Sequence, residues 1–150
     1  MNRIEGFFKE HRFLSNFYPV EVPIVDEYEG VTFIYGTVEH AYQAMKTLSL
    51  QHRREIMMAE TPGAAKRIGQ RAPLRRDWDN IKYDVMLELT RAKFYHSPGL
   101  KQRLLATGDA ELYEVNNWGD RYWGCDEFLE GQNRLGEILM QVREEVSNQF

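Results

Sequence analysis

The chain has 150 residues, 43% apolar and 28% charged, with a formal net charge of −4. That length suits one domain with a proper core, and the balance excludes both a disordered polymer and a globally basic nucleic-acid binder. No apolar run approaches the ~18 residues of a membrane span, no signal-peptide pattern opens the chain, and the single cysteine, Cys125, excludes an internal disulfide and fits a reducing cytoplasm.

The first third reads as strand and turn. Val20–Val25 contains Pro23 and follows Pro19, so it is predicted as an edge strand. Tyr28-Glu29-Gly30 predicts a turn, and the β-branched and aromatic run Val31–Tyr35 predicts a strand. Thr37 then caps a helix over Val38–Leu48, with Val38, Ala41, Met45 and Leu48 on one apolar stripe. A short helix is expected over Gln51–Ala59, and Thr61-Pro62 starts another that runs to about Gly69. Trp78–Phe94 is the longest predicted helix, with Ile81, Val85, Leu89 and Ala92 facing inward. Ser97-Pro98 opens a helix to Ala106, which Thr107-Gly108-Asp109 closes. Leu112–Val115 is a short strand, Trp118–Gly131 a loop rich in Gly, Trp and Asp, and Asn133–Val146 the last helix. The sum is a helix-rich α+β single domain with a small sheet.

Charge is uneven along this plan. Residues 53–82 carry eight Lys/Arg against four acids, whereas residues 109–150 carry ten acids against three Arg. The basic stretch suits a phosphate, and it suits solvated helix faces equally well.

Three places carry chemistry. Glu39, Gln43 and Lys46 stand at i, i+4 and i+7, one side of a helix, with the outer two about 10.5 Å apart along the axis. A carboxylate is a natural general acid or base at a glycosidic centre, and an amine with a lowered pKa can form an imine with a sugar aldehyde. The same charges also simply suit the two ends of a helix dipole. The second place is Asn116–Gly124, where Trp118 and Trp123 offer flat walls, Gly119 and Gly124 allow close approach, and Asp120 adds a carboxylate. A tryptophan-anchored loop packed on the core has the same composition. The third is Gly131–Gly136, where free N–H groups at a helix start and the Arg134 fork suit an anion, and Asn133 suits an ordinary cap. His11, His40, His52 and His96 show no metal-ligand spacing and no phosphate loop is present, so neither a metal nor a redox cofactor is expected.

Taken in order, Phe13-Leu14-Ser15-Asn16-Phe17-Tyr18-Pro19, Thr37-Val38-Glu39-His40-Ala41-Tyr42-Gln43-Ala44-Met45-Lys46, Asp77-Trp78-Asp79, Lys93-Phe94, Leu104–Asp109, Trp118–Gly124 and Gly131–Gly136 resemble the NADAR/YbiA family over roughly residues 7 to 146. The resemblance implies a compact helix-rich α+β fold and hydrolysis of a bond between ribose C1 and a nitrogen. Implied substrates are ribosylaminouracil phosphates of riboflavin synthesis, or ADP-ribosylated guanine in nucleotides or nucleic acid. It gives Glu39, Lys46 and Asp120 catalytic roles and makes Trp78, Trp123 and Asn133 active-site positions. Ser15, Asn16 and Phe17 match a ligand-binding motif, and Tyr42, Gln43 and Arg134 are further expected substrate contacts. The acidic, bulky stretch Cys125–Glu130 departs from the Gly-rich loop of some members. The competing class is a cleft that holds ADP-ribose or a nucleotide without cutting it, and a blander one is a helical interaction protein.

Overall fold

A computed structural model describes residues 2–26 and 30–149. Tyr28 and Glu29 of the expected turn lie outside the described residues. Gly30, at a φ of 65°, donates its N–H to Asp26 O. The fold is α+β, with strands β1 (Arg3–Glu5), β2 (Val22–Val25), β3 (Thr32–Tyr35) and β4 (Glu111–Tyr113). Its helices are a 3-10 turn at Lys9–Leu14 followed by α1 (Val38–Met45), α2 (Leu50–Met58), α3 (Pro62–Arg71), α4 (Trp78–Tyr95), α5 (Pro98–Ala106) and α6 (Arg134–Ser147). The chain divides into two compact units, one spanning Asn16–Leu89 and one built from the chain's two ends, up to Ser15 and from Thr90.

In the Asn16–Leu89 unit, β2 and β3 form an antiparallel hairpin that pairs Val22 with Tyr35 and Val25 with Thr32. Val22, Phe33 and Tyr35 turn inward, while Val25 and Ile34 face water. Pro23 sits in an open-edged, two-stranded ribbon, where its missing N–H costs no ladder bond. α1, α2 and α3 pack on one another, and each start is held by a hydroxyl: Thr37 accepts from His40 N, Ser49 from His52 N and Thr61 from Ala64 N.

α1 stops at Met45, short of the expected Leu48, which is 49% exposed. The cause is Arg53, whose Nε donates to Ala44 O and Thr47 O, carbonyls that end the helix. The buried Arg53 guanidinium is itself paired with the buried Asp26 carboxylate at 3.1 Å. α4 also differs from expectation. Its buried positions are Trp78, Met86, Leu89, Thr90, Lys93 and Phe94, and the expected Ile81, Val85 and Ala92 are only half-buried. Two polar residues on the buried face, Thr90 and Lys93, hide its stripe from a hydropathy reading.

In the unit of the chain ends, β1 pairs in parallel with β4, Arg3 against Glu111 and Glu5 against Tyr113. α5 is capped by Ser97, begins with Pro98, and closes at Gly108, whose φ is 64°. α6 lies on β4 so closely that a Cβ at Gly136 would run into Leu112 O and the Asn133 side chain. Gly136→Ala is therefore expected to lower stability by about 2 kcal/mol in a urea titration, despite alanine's better helix propensity. An unchanged or raised midpoint would mean that α6 shifts away from β4 without cost.

Candidate active site

Within the Asn16–Leu89 unit, α1 brings Glu39, Gln43 and Lys46 into a connected row. Gln43 donates from Nε2 to Glu39 Oε2 at 3.5 Å and accepts at Oε1 from Lys46 Nζ at 3.1 Å. Gln43 is buried, and Gly69 of α3 lies against its side chain with no room for a Cβ. That contact fixes the amide, so the two half-buried charged groups are held at the ends of one bridge.

Burial lowers the Lys46 ammonium pKa, Glu39 raises it, and nearby Lys66 lowers it further; the net shift is downward. A lowered pKa gives a larger fraction of free amine, the form that attacks carbon. The row is anchored at both ends. Glu39 N donates to Asn16 O at 3.0 Å, and Lys46 O accepts from Arg75 N at 2.9 Å. Asn16 Nδ2 also reaches Met86 Sδ at 3.5 Å, and Phe17 beside it is exposed. Tyr42 and Trp78 make a tilted ring pair, centroids 5.1 Å apart, that forms an aromatic wall one turn along α1. His40, between Glu39 and Ala41, is structural. Its Nε2 donates to Ala59 O at 3.0 Å, so its Nδ1 accepts from the Thr37 hydroxyl at 2.7 Å.

The unit of the chain ends holds Asp120, Trp123, Asn133, Arg134 and Ser15. Asp120 Oδ1 accepts from the N–H groups of Tyr122 and Trp123, which ties the carboxylate into its own loop. Asn116 locks the same loop, accepting from Asp120 N and donating to Asp120 O and Glu114 Oε2. Trp123 is half-buried and meets Tyr122 edge to face at 4.8 Å. Gly124 lies against Glu114 and Asn116 without room for a Cβ, which is a packing reason for that glycine.

The expected anion site at the start of α6 is closed. The N–H groups of Gln132, Asn133, Arg134 and Leu135 donate to the carbonyls of Arg121, Gly124, Tyr122 and Trp123. Asn133 is not an ordinary cap either. It adopts a φ of 50°, and its side chain bridges to β4, accepting from Glu114 N and donating to Leu112 O. Arg134 lies half-buried beside Gln132 and Glu137.

The sequence reading placed Lys93 only within the Lys93-Phe94 motif and gave it no role. It is fully buried and donates from Nζ to Ser15 O at 2.8 Å, holding the first residue of the Ser15-Asn16-Phe17 motif. Burial pulls its pKa down to about 7. Beyond that motif, a lone lysine inside an apolar helix face is its signal. Among the described residues no three of His, Cys, Asp and Glu gather as metal ligands, and no helix is long and apolar enough to cross a membrane.

The family model of the NADAR domain matches residues 6–147. The chain is 39% identical over 137 residues to N-glycosidase YbiA of Escherichia coli, covering 89% of this chain and 80% of that protein. It is 40% identical over 139 residues to an N-glycosidase of Nostoc punctiforme, covering 89% and 85%. A riboflavin biosynthesis protein of Vibrio vulnificus is 36% identical over 140 residues, which are 92% of this chain but 36% of that protein. The NMR structure of E. coli YbiA superimposes with a TM-score of 0.77 at 36% identity, covering 97% of this chain and 83% of that one.

Proposed function

The chain belongs to the NADAR domain family, and from that premise we propose that it is an N-glycosidase that hydrolyses the bond between ribose C1 and a nitrogen. The observation that carries the reading is the Glu39–Gln43–Lys46 row, an acid and an amine with lowered pKa held at opposite ends of one buried amide. The substrate is a small molecule or nucleotide that carries ribose phosphate. Its base is either the aminouracil of a riboflavin intermediate, in line with the name of the Vibrio relative, or guanine bearing ADP-ribose.

Glu39 is the proton carrier. Its carboxyl protonates the leaving nitrogen as the C1–N bond breaks, and its carboxylate then takes a proton from the incoming water. The net change is addition of water across the C1–N bond, giving the free sugar hemiacetal and the N–H base. Lys46 acts at the same centre in one of two ways. As a cation it holds sugar hydroxyls; as a free amine it attacks C1, displaces the base, and passes through a ring-opened imine that water returns to sugar and amine. The Tyr42–Trp78 pair walls the ring system.

Mass spectrometry of reactions with ADP-ribosylated guanosine and with 5-amino-6-ribosylaminouracil phosphate tests the reading. Free ADP-ribose or free ribose phosphate is the expected product; binding without either product over hours returns the protein to the class of non-cutting nucleotide binders. Borohydride added during turnover is expected to leave a sugar adduct on Lys46, absent in Lys46→Met. Full turnover without any adduct assigns Lys46 to the sugar hydroxyls and the attack to water.

A further inference from the structure

The unit of the chain ends holds a groove of about 470 Å³, within the size range of ligand sites, lined by Phe8, Asn116, Asn117, Trp118, Asp126 and Glu127. Its two rings face solvent, Phe8 59% exposed and Trp118 60%, and exposed rings gathered in one place mark a surface that meets a partner. Phe8 is held in place. Its ring lies on Gly6, where a Cβ would collide with it, and Gly6, at a φ of 92°, donates its N–H to Tyr113 O at 2.9 Å.

The lining carries two carboxylates and no Lys, Arg or His. Asp126 is committed within its own loop: it accepts from Phe128 N and Glu130 N and pairs with Arg121 at 2.8 Å. Those bonds close the turn 126–130 even though Leu129 sits at a φ of 63°, a costly setting for leucine. The turn holds Glu127 and Phe128 out in water, Phe128 at 76% exposure. Glu127 makes no side-chain hydrogen bond or ion pair among the described residues. Further negative charge lies close by. Asn116 Nδ2 donates to the Glu114 carboxylate, and the buried Cys125 thiol, pushed up first by burial, is pushed further by Glu114, Asp126 and Glu5.

An open carboxylate beside aromatic faces selects for a cation. It repels phosphates and other carboxylates, while the ring faces attract positive charge. Among side chains, a guanidinium meets both demands at once, since it lies flat on a ring and presents two parallel N–H groups to a carboxylate. An ammonium has neither the plane nor the fork. We propose that this groove docks an arginine side chain on an extended segment of a partner protein, the guanidinium stacked against Trp118 and Phe8 and forked onto the Glu127 carboxylate. The exposed Phe128 next to Glu127 offers such a segment apolar contact beyond the groove, a reach that a small cation lacks. The proposal uses residues of the chain-end unit alone and stands apart from the N-riboside reading.

Calorimetry and tryptophan fluorescence with three blocked glycine-rich peptides, bearing arginine, lysine or citrulline at the same positions, test the docking with no riboside present. Citrulline keeps the shape and plane of arginine and lacks its charge. The arginine peptide is expected to bind saturably, at least about tenfold more tightly than the citrulline peptide and several-fold more tightly than the lysine one. Its binding is expected to weaken as salt rises from about 0.05 M to about 0.5 M. Glu127→Gln is expected to remove most of the preference for arginine, and Trp118→Ala to abolish binding. Trp118→Phe keeps a ring in place should the alanine variant unfold; it is expected to retain binding and lose most of the fluorescence change. Glu60→Gln, at an exposed carboxylate of the other unit, is expected to change nothing. Equal affinity for the arginine and citrulline peptides, no saturable binding of the arginine peptide, or equal losses in Glu60→Gln and Glu127→Gln overturns the proposal. Free arginine amide binding as tightly as the peptide also overturns it, by making the groove a small-cation site. So does self-association of the chain that Trp118→Ala abolishes, since the occupant is then a second copy.

Discussion

Glu39→Gln is expected to lower turnover of the cleaved N-riboside by ~10²–10⁴-fold while leaving its Kd within about threefold of wild type. Glutamine matches glutamate in shape and keeps an oxygen for the bond that Gln43 Nε2 now makes to Glu39 Oε2. The backbone bond from residue 39 to Asn16 O is independent of the side chain, so the start of α1 and the 16–17 segment stay in place. What the amide cannot do is give a proton to the leaving nitrogen or take one from water. Single-turnover rates together with calorimetric Kd values separate the two quantities. A rate close to wild type would remove Glu39 as the proton carrier, and a parallel loss of binding would make its role one of holding substrate.

How much of this arrangement was legible beforehand depended on whether the determinants were local. The starts of α1, α3 and α5 were readable because Thr37, Thr61 and Ser97 act on an N–H three residues away, and Pro62 and Pro98 follow directly. The Glu39–Gln43–Lys46 row was readable for the same reason, being one face of one helix. β1 left no trace, because three residues, Arg3-Ile4-Glu5, become a strand only by pairing with Glu111–Tyr113 at the far end of the chain. The end of α1 was equally hidden, since it is set by Arg53 reaching back to Ala44 and Thr47. The start of α6 looked like an open anion site because a sequence does not show that the 121–124 carbonyls fold back onto its N–H groups. Asn133 looked like a cap and is a bridge to β4 for the same reason.

Lys93 produces the second large effect, on the dependence of stability on pH. Its pKa falls from an ordinary 10.5 to about 7 in the fold, because burial disfavours the ammonium. Below pH 7 both folded and unfolded chains hold this proton, and the burial cost is present at full size and flat. Between about pH 7 and 10.5 the unfolded chain still holds the proton and the folded one has released it, so raising the pH favours the fold. The gain has a ceiling of about 5 kcal/mol, reduced by any water that reaches the amine. Lys46, also lowered, adds to the rise. Tyr35 works the other way: burial pushes it up to about 12, so above pH 10 the unfolded chain loses a proton that the fold retains, and stability falls. Cys125, raised by burial, has the same sign. Urea midpoints are therefore expected to climb from pH 7 to a maximum near pH 10 and then drop. Lys93→Met should flatten most of the climb and leave the alkaline fall intact, although it gives up the bond to Ser15 O. A wild-type profile already flat from pH 7 to 10 would mean that Lys93 keeps its charge in the fold, its ammonium fully compensated by the carbonyl of Ser15 and its surroundings.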